Sequence, residues 1–298
     1  FIKIVIKYLK FGCVLSLMFL FIQLILGTTF TFYPDLNSNV YRVSELIRYP
    51  SYFQDPQKYA QYLCMLVFLF LMNRETKHSP GILNVCLFII IVLAILASGT
   101  RSAFLGFCVG FLIIILSLRS NIKFIAAFFC LLGYFVITNF SEFFSFFNRA
   151  DNYSSSIDTR VQIWNEGLDI FFENPLLGIG IGNHHNYILN HSSVGYYLID
   201  NEIVFYGTES GYLQILIEYG LLGFIIVLIL IFMPVINAIK SYMRIKDFNI
   251  VILIASIISW MIAWATVNSL LDKRILVVLA TLLCLLIVSK ILSKSVHV

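Results

Sequence analysis

Eight apolar runs, at 11–27, 59–72, 82–98, 102–118, 122–140, 211–233, 249–270 and 275–292, dominate the sequence. A bilayer core of about 30 Å needs roughly 20 apolar residues to cross it as a helix, somewhat fewer where polar flanks snorkel. Composition agrees, since 60% of the residues are apolar and 12% charged, against about 45–50% and 25% in soluble domains. Such a chain is solvated by lipid. A disordered chain is excluded, because disorder needs low hydrophobicity. So is a nucleic-acid binder, because a net charge of +4 over 298 residues makes no basic face.

The expected fold is therefore an all-α polytopic membrane protein, with about eight transmembrane helices in one domain over residues 1–298 and a large exoplasmic loop at 141–210. The chain begins with Phe1, which reads as a missing N-terminal portion. Lys3, Lys7 and Lys10 ahead of the first run resemble a signal-peptide start, but Gly27-Thr28-Thr29-Phe30 is a poor cleavage site. The run is expected to stay as a helix. The six cysteines all lie in apolar runs without CxxC spacing, so they read as small membrane-helix residues, neither disulfides nor zinc ligands.

Sidedness follows from the basic residues. With a cytoplasmic N-terminus, the short inside segments and span ends carry 12 of the 20 Lys and Arg, whereas the outside segments hold 13 of the 16 acids. The positive-inside rule then puts both long loops, 28–58 and 141–210, on the exoplasmic face, where the polar chemistry is concentrated. No GxxxxGK[ST] loop for a nucleotide is present.

Within the longer loop, residues 158–173 read as an amphipathic helix that ends at Asn174-Pro175 and lies along the membrane surface. Gln162, Asn165, Glu166, Asp169 and Glu173 share one polar arc of about 100°. Arg160 falls in the apolar remainder, and reads either as a snorkelling Arg stacked on Trp164 or as an anion-binding Arg at the membrane surface. Arg101, in the tight turn Ser98-Gly99-Thr100-Arg101-Ser102, stands at the rim of the bilayer, where a charge is expensive unless it is paired or functional. A guanidinium suits the phosphates of a lipid diphosphate at that depth.

Glu209 occupies the first turn of the run at 211–233. It reads equally as a helix-dipole partner and as a base or acceptor-hydroxyl binder. Glu218, nine residues on and facing the other way, reads as structural, with Gly220 and Gly223 beside it letting a neighbouring helix approach. His184 and His185 follow the glycine-rich stretch 178–182. They read as plain loop residues or as sugar or phosphate contacts, and not as metal ligands, because no carboxylate or Cys joins them at ligand spacing. Arg48 is a third exoplasmic Arg, set among aromatics whose faces suit sugars.

Four segments carry a family resemblance in the same order: Arg48 to Pro56, Ser98 to Ser102, Arg160 to Gly167 running on to Asn174–Asn183, and Glu209 to Gly223. Together they resemble the O-antigen ligase and polymerase superfamily. The resemblance implies a bacterial inner-membrane glycosyltransferase with its active site facing the periplasm. Its substrate would be undecaprenyl-diphosphate-linked glycan, used without cofactor, metal or nucleotide sugar. By position, Arg101 and Arg160 would hold the donor diphosphate; from the reading of the residues themselves, Glu209 would be catalytic and Arg48, His184 and His185 would contact substrate. The implied partners are the lipid-linked oligosaccharide, the bilayer and a chain-length regulator protein, with no nucleic acid. Ligases commonly carry a His near the start of the helix that begins here at Ser210. Glu209-Ser210 in its place favours a polymerase of O-antigen or a related surface polysaccharide over a ligase acting on lipid A core. A transporter of lipid-linked oligosaccharide is the rival of a different class, and mid-membrane charges would mark it.

Overall fold

The computed structural model describes residues 2–27, 30, 42–43, 46–53, 55–72, 81–118, 153–191, 196–199, 202–205 and 207–295. Seven of the eight apolar runs are helical: α1 (Ile2–Leu26), α2 (Pro56–Leu66) with a 3-10 extension (Val67–Leu71), α3 (Ile82–Ala97), α4 (Arg101–Ser117), α7 (Gly211–Ile245), α8 (Phe248–Trp264) and α9 (Lys273–Ser295). The run at 122–140 lies outside the described residues. α1 and α7 are long and apolar enough to cross a membrane, whereas α3, α4 and α8 are shorter apolar helices. Between α4 and α7 come α5 (Tyr153–Glu173) and α6 (His184–His191). Strands among the described residues are confined to two antiparallel hairpins, β1 (Arg42–Val43) with β2 (Leu46–Ile47) and β3 (Tyr196–Ile199) with β4 (Glu202–Phe205). The chain groups into two compact units, residues 1–149, 234–263 and 272–298 in one and 150–233 and 264–271 in the other.

In the first unit, α2 explains how a run of only 14 apolar residues suffices. Asp55 caps the helix by accepting from the Gln57 amide at 2.7 Å, and Pro56 occupies the first turn. The last five residues then stretch into 3-10 geometry. At 1.5 and 2.0 Å per residue the two pieces reach about 27 Å, close to the thickness of a bilayer core. Every side chain from Tyr59 to Phe70 is buried, so this element is solvated by protein and not by lipid. α4 lies against α8 through Gly106 and Gly110. A Cβ on Gly106 would come 2.3 Å from the Ser259 carbonyl oxygen, so only glycine permits this approach.

The segment before α2 is pinned by α1. The Gln23 side chain donates to the Ser51 carbonyl at 2.7 Å and accepts from the Ser51 amide at 2.8 Å, both buried. Ser51, at φ 56°, also donates its hydroxyl to the Ser16 carbonyl at 2.7 Å. Buried peptide groups left unpaired cost about 1–3 kcal/mol each, so one amide side chain holds this stretch in register. Arg274 closes the same region. It forks onto Asp272 at 2.9 and 2.6 Å and lies 4.1 Å over the Phe53 ring. Burial alone would raise the Asp272 carboxyl, but the Arg274 hydrogen bonds and charge outweigh it and hold the group below its ordinary value.

Candidate functional site

The second unit is built on α5 and the first turns of α7. The apolar surface of α5, expected as one arc, is divided into two. Ile163, Gly167 and Ile170 face inward, while Val161, Trp164, Leu168 and Phe172 are exposed beside the polar arc. The inward stripe packs on α7, where a Cβ on Gly167 would meet Leu213 at 2.9 Å and Ile217 at 3.0 Å. The helix expected on the membrane surface therefore touches the start of α7 at Gly167. Arg160 sits at the edge of that stripe, one turn before Trp164.

From there the Arg160 guanidinium reaches Glu209, with Nη2 to Oε2 at 3.1 Å. Both side chains are half-buried, so the pair borders water, with the Glu209 oxygen that faces Arg160 itself buried. Glu209 itself holds φ 47°, the left-handed region in which a non-glycine residue is rare. Such backbone persists where the surroundings over-determine it, and it turns the carboxylate of Glu209 towards Arg160. The surroundings are specific. Ser210 caps α7 by accepting from the Leu213 amide at 3.3 Å, and Thr208 donates to the Ser210 carbonyl at 2.8 Å. Gly211 begins the helix under the buried Trp264, whose indole nitrogen would lie 2.1 Å from any Cβ there. Tyr212 rests against the same indole, with ring centroids 4.3 Å apart.

Further along, α7 is broken at Gly220 (φ 64°, ψ −172°). The glycine-rich stretch after α5 supplies the missing backbone partners. The amides of Ile179 and Gly180 donate to the Ile217 and Glu218 carbonyls, each at 3.0 Å, and those of Leu221 and Leu222 donate to Pro175 and Leu176 at 2.8 and 3.3 Å. The chains approach so closely that a Cβ on Gly178 would lie 2.5 Å from the Gly220 nitrogen. What approaches Gly220 is thus a loop, not the neighbouring helix expected from the sequence. Glu218 is buried here and accepts from Gln214 Nε2 at 3.1 Å, in keeping with a structural role.

The remaining candidates lie elsewhere. Arg101 is the first residue of α4, after Thr100, and its side chain is exposed; it belongs to the first unit. Arg48, in that same unit, is buried. Its Nε donates to the Ser98 carbonyl at 3.0 Å and its Nη2 to the Thr100 hydroxyl at 3.4 Å, so it braces the turn that presents Arg101. His184 opens α6 and is buried, while His185 beside it is exposed, their ring centroids 6.2 Å apart. Tyr187 of α6 donates its hydroxyl to Glu173, tying α6 to the end of α5. Among the described residues no group of three or more His, Cys, Asp or Glu gathers to hold a metal ion.

Burial, reinforced by the His185 charge, pushes His184 down to about 4. The unfolded imidazole titrates near 6.5. Between these values the unfolded chain takes up a proton that the folded one refuses, so stability is complete above about pH 6.5 and falls as the pH drops towards 4. Thermal unfolding of the purified protein should lose roughly tenfold in its folded-to-unfolded ratio per pH unit over that window. His184→Leu should remove that slope, and an unchanged slope would overturn the buried neutral imidazole.

Sequence reasoning missed Gln23, Arg274, Trp264 and the mutual clasp of Gly178 with Gly220. A lone Gln inside an apolar helix and an Asp-Lys-Arg run at the head of another were the available signals. Residues 86–228 match a family model described as O-antigen ligase, a span that includes Arg101, Arg160, Glu209 and both clasp segments. No curated protein matches the chain.

Proposed function

The chain belongs, over residues 86–228, to the O-antigen ligase and polymerase superfamily, and from that premise we propose that it polymerises undecaprenyl-diphosphate-linked oligosaccharide repeats into O-antigen or a related surface polysaccharide on the periplasmic side of the inner membrane. The observation that carries this reading is the Arg160–Glu209 pair at the head of α7. One member is a permanent cation with a fork suited to phosphate oxygens, the other a carboxylate able to take a proton.

The acceptor sugar hydroxyl of one lipid-linked repeat attacks the anomeric carbon of the donor chain. The new glycosidic C–O bond forms as the anomeric C–O bond to diphosphate breaks, undecaprenyl diphosphate leaves, and the hydroxyl proton passes to Glu209. Arg160 offsets the charge growing on the leaving diphosphate, which is where electrostatic stabilisation lowers a barrier most; Arg101 keeps the diphosphate-binding role that the resemblance implies for it. Before the donor arrives, Arg160 and Glu209 neutralise one another. The diphosphate takes over Arg160 and leaves Glu209 free for the acceptor. Arg48 acts by bracing the turn before Arg101. Of the two histidines, the exposed His185 is left to contact sugar, with the buried His184 behind it.

Transfer to lipid A core by a ligase uses the same leaving group and is the rival reading. Gel analysis of surface glycan in a deletion strain, complemented with the full-length gene, separates the two. Single repeats still attached to core in the deletion strain support the polymerase. Bare core with polymer accumulating on undecaprenyl diphosphate would mean a ligase.

A further inference from the structure

The surface of the second unit changes character at Gly220. Residues 211–220 of α7 include none of the large exposed apolar side chains, whereas Leu221, Leu222 and Ile226 immediately after the break are exposed to 42%, 51% and 57%. The clasp brings the loop after α5 to the same level, and its Leu176, Leu177 and Ile181 are exposed to 60%, 75% and 64%. Residues 174–183 and 219–239 carry no charge, and Lys240 ends the second stretch. From Leu221 to Ile239 a helix measures about 28 Å, which matches a bilayer core. A span beginning at Gly211, as the sequence suggested, would instead carry Glu218 into the core.

We propose that the hydrocarbon edge of the bilayer lies at Gly220 and that the Pro175–Gly182 loop is a wedge inserted into that leaflet. Its partner is the lipid surface itself. The wedge is continuous with the lipid-facing side of α7, and the four clasp hydrogen bonds satisfy the backbone groups that a broken helix would otherwise expose to lipid. Wherever non-helical backbone occurs at membrane depth, it is tolerated only with such partners. The Arg160–Glu209 pair then stands outside the hydrocarbon, at the other end of the short helix that the wedge anchors. The inference is independent of which glycan is transferred.

Full-length protein with its other cysteines replaced by Ala, reconstituted in phosphatidylethanolamine and phosphatidylglycerol vesicles, provides the test. Leu177→Cys and Ile181→Cys each carry an environment-sensitive NBD label, with Gln162→Cys and Asn186→Cys as aqueous references. Ile181 makes none of the clasp hydrogen bonds, so its variant keeps the question open if Leu177→Cys misfolds. The labels at 177 and 181 should be quenched by nitroxide-bearing lipids and shielded severalfold from aqueous iodide relative to those at 162 and 186. Equal iodide quenching at all four positions would put the loop in water. Shielding from both quenchers would mean a protein cover, a second copy or a partner. Either result overturns the proposal.

Discussion

Gly220→Ala should strip the folded protein from the membrane fraction, or lower its thermal unfolding temperature in detergent far more than Gly182→Ala does. Two costs combine. The residue holds φ 64° and ψ −172°, a region essentially confined to glycine, which disfavours a side chain by about 1–3 kcal/mol. The added Cβ would also lie 2.4 Å from the Leu176 carbonyl oxygen and 2.5 Å from the Gly178 nitrogen. Those are backbone atoms that cannot swing aside, so the loop must retreat and the clasp must open. Four backbone hydrogen bonds then lose their partners, at about 1 kcal/mol each and more where the groups stay buried. Several kcal/mol is a large share of a typical total stability of 5–15 kcal/mol. Gly182→Ala is the matched control, since Gly182 holds φ 74° with nothing within 4 Å of a Cβ. It should cost only the conformational term. If the two variants unfold at the same temperature, the close approach of the two chains is wrong.

Arg160→Ala should abolish long glycan chains, reducing polymer by roughly 10²-fold or more, while leaving the amount of protein in the membrane unchanged. Magnitudes separate the two effects. The pair with Glu209 is partly exposed, at 38% and 25%, and exposed ion pairs contribute only about 0–1 kcal/mol to stability. The same guanidinium facing a diphosphate in the transition state is worth far more. Arg160→Lys should recover part of the activity, because it keeps the charge and loses the fork. Glu209→Gln should also stop polymerisation, yet bind undecaprenyl diphosphate more tightly, since a neutral amide competes less for Arg160. Ladders of normal length from Arg160→Ala, with lipid-linked repeats not accumulating, would end the diphosphate role. Weaker donor binding by Glu209→Gln would mean that the carboxylate positions Arg160 instead of competing for it.

Much of the helical architecture was legible because lipid and local periodicity impose it residue by residue. Apolar runs that must satisfy their own backbone groups become helices, and Asp55-Pro56 and Ser210 mark two starts with local capping chemistry. Arg160 was singled out because a charge in an apolar arc breaks that periodicity. Its partner was named too, but not as a partner, since hydrophobic pattern carries no information about residues forty-nine positions away. Arg48 shows the converse. Its setting among aromatics suggested a sugar contact, whereas it is turned inward onto the Ser98 carbonyl and the Thr100 hydroxyl.

The sequence by itself determined a chain of apolar helical runs, resembling the O-antigen ligase and polymerase superfamily over residues 86–228, with its acids gathered away from the short basic loops. Those properties follow from counts and from neighbours within one or two turns. Only the tertiary structure decided that α7 breaks at Gly220, that the stretch after α5 completes it, and that Arg160 meets Glu209. Each of these depends on backbone or side-chain groups far apart in sequence coming within about 3 Å, and at that range one methyl group decides whether the contact exists.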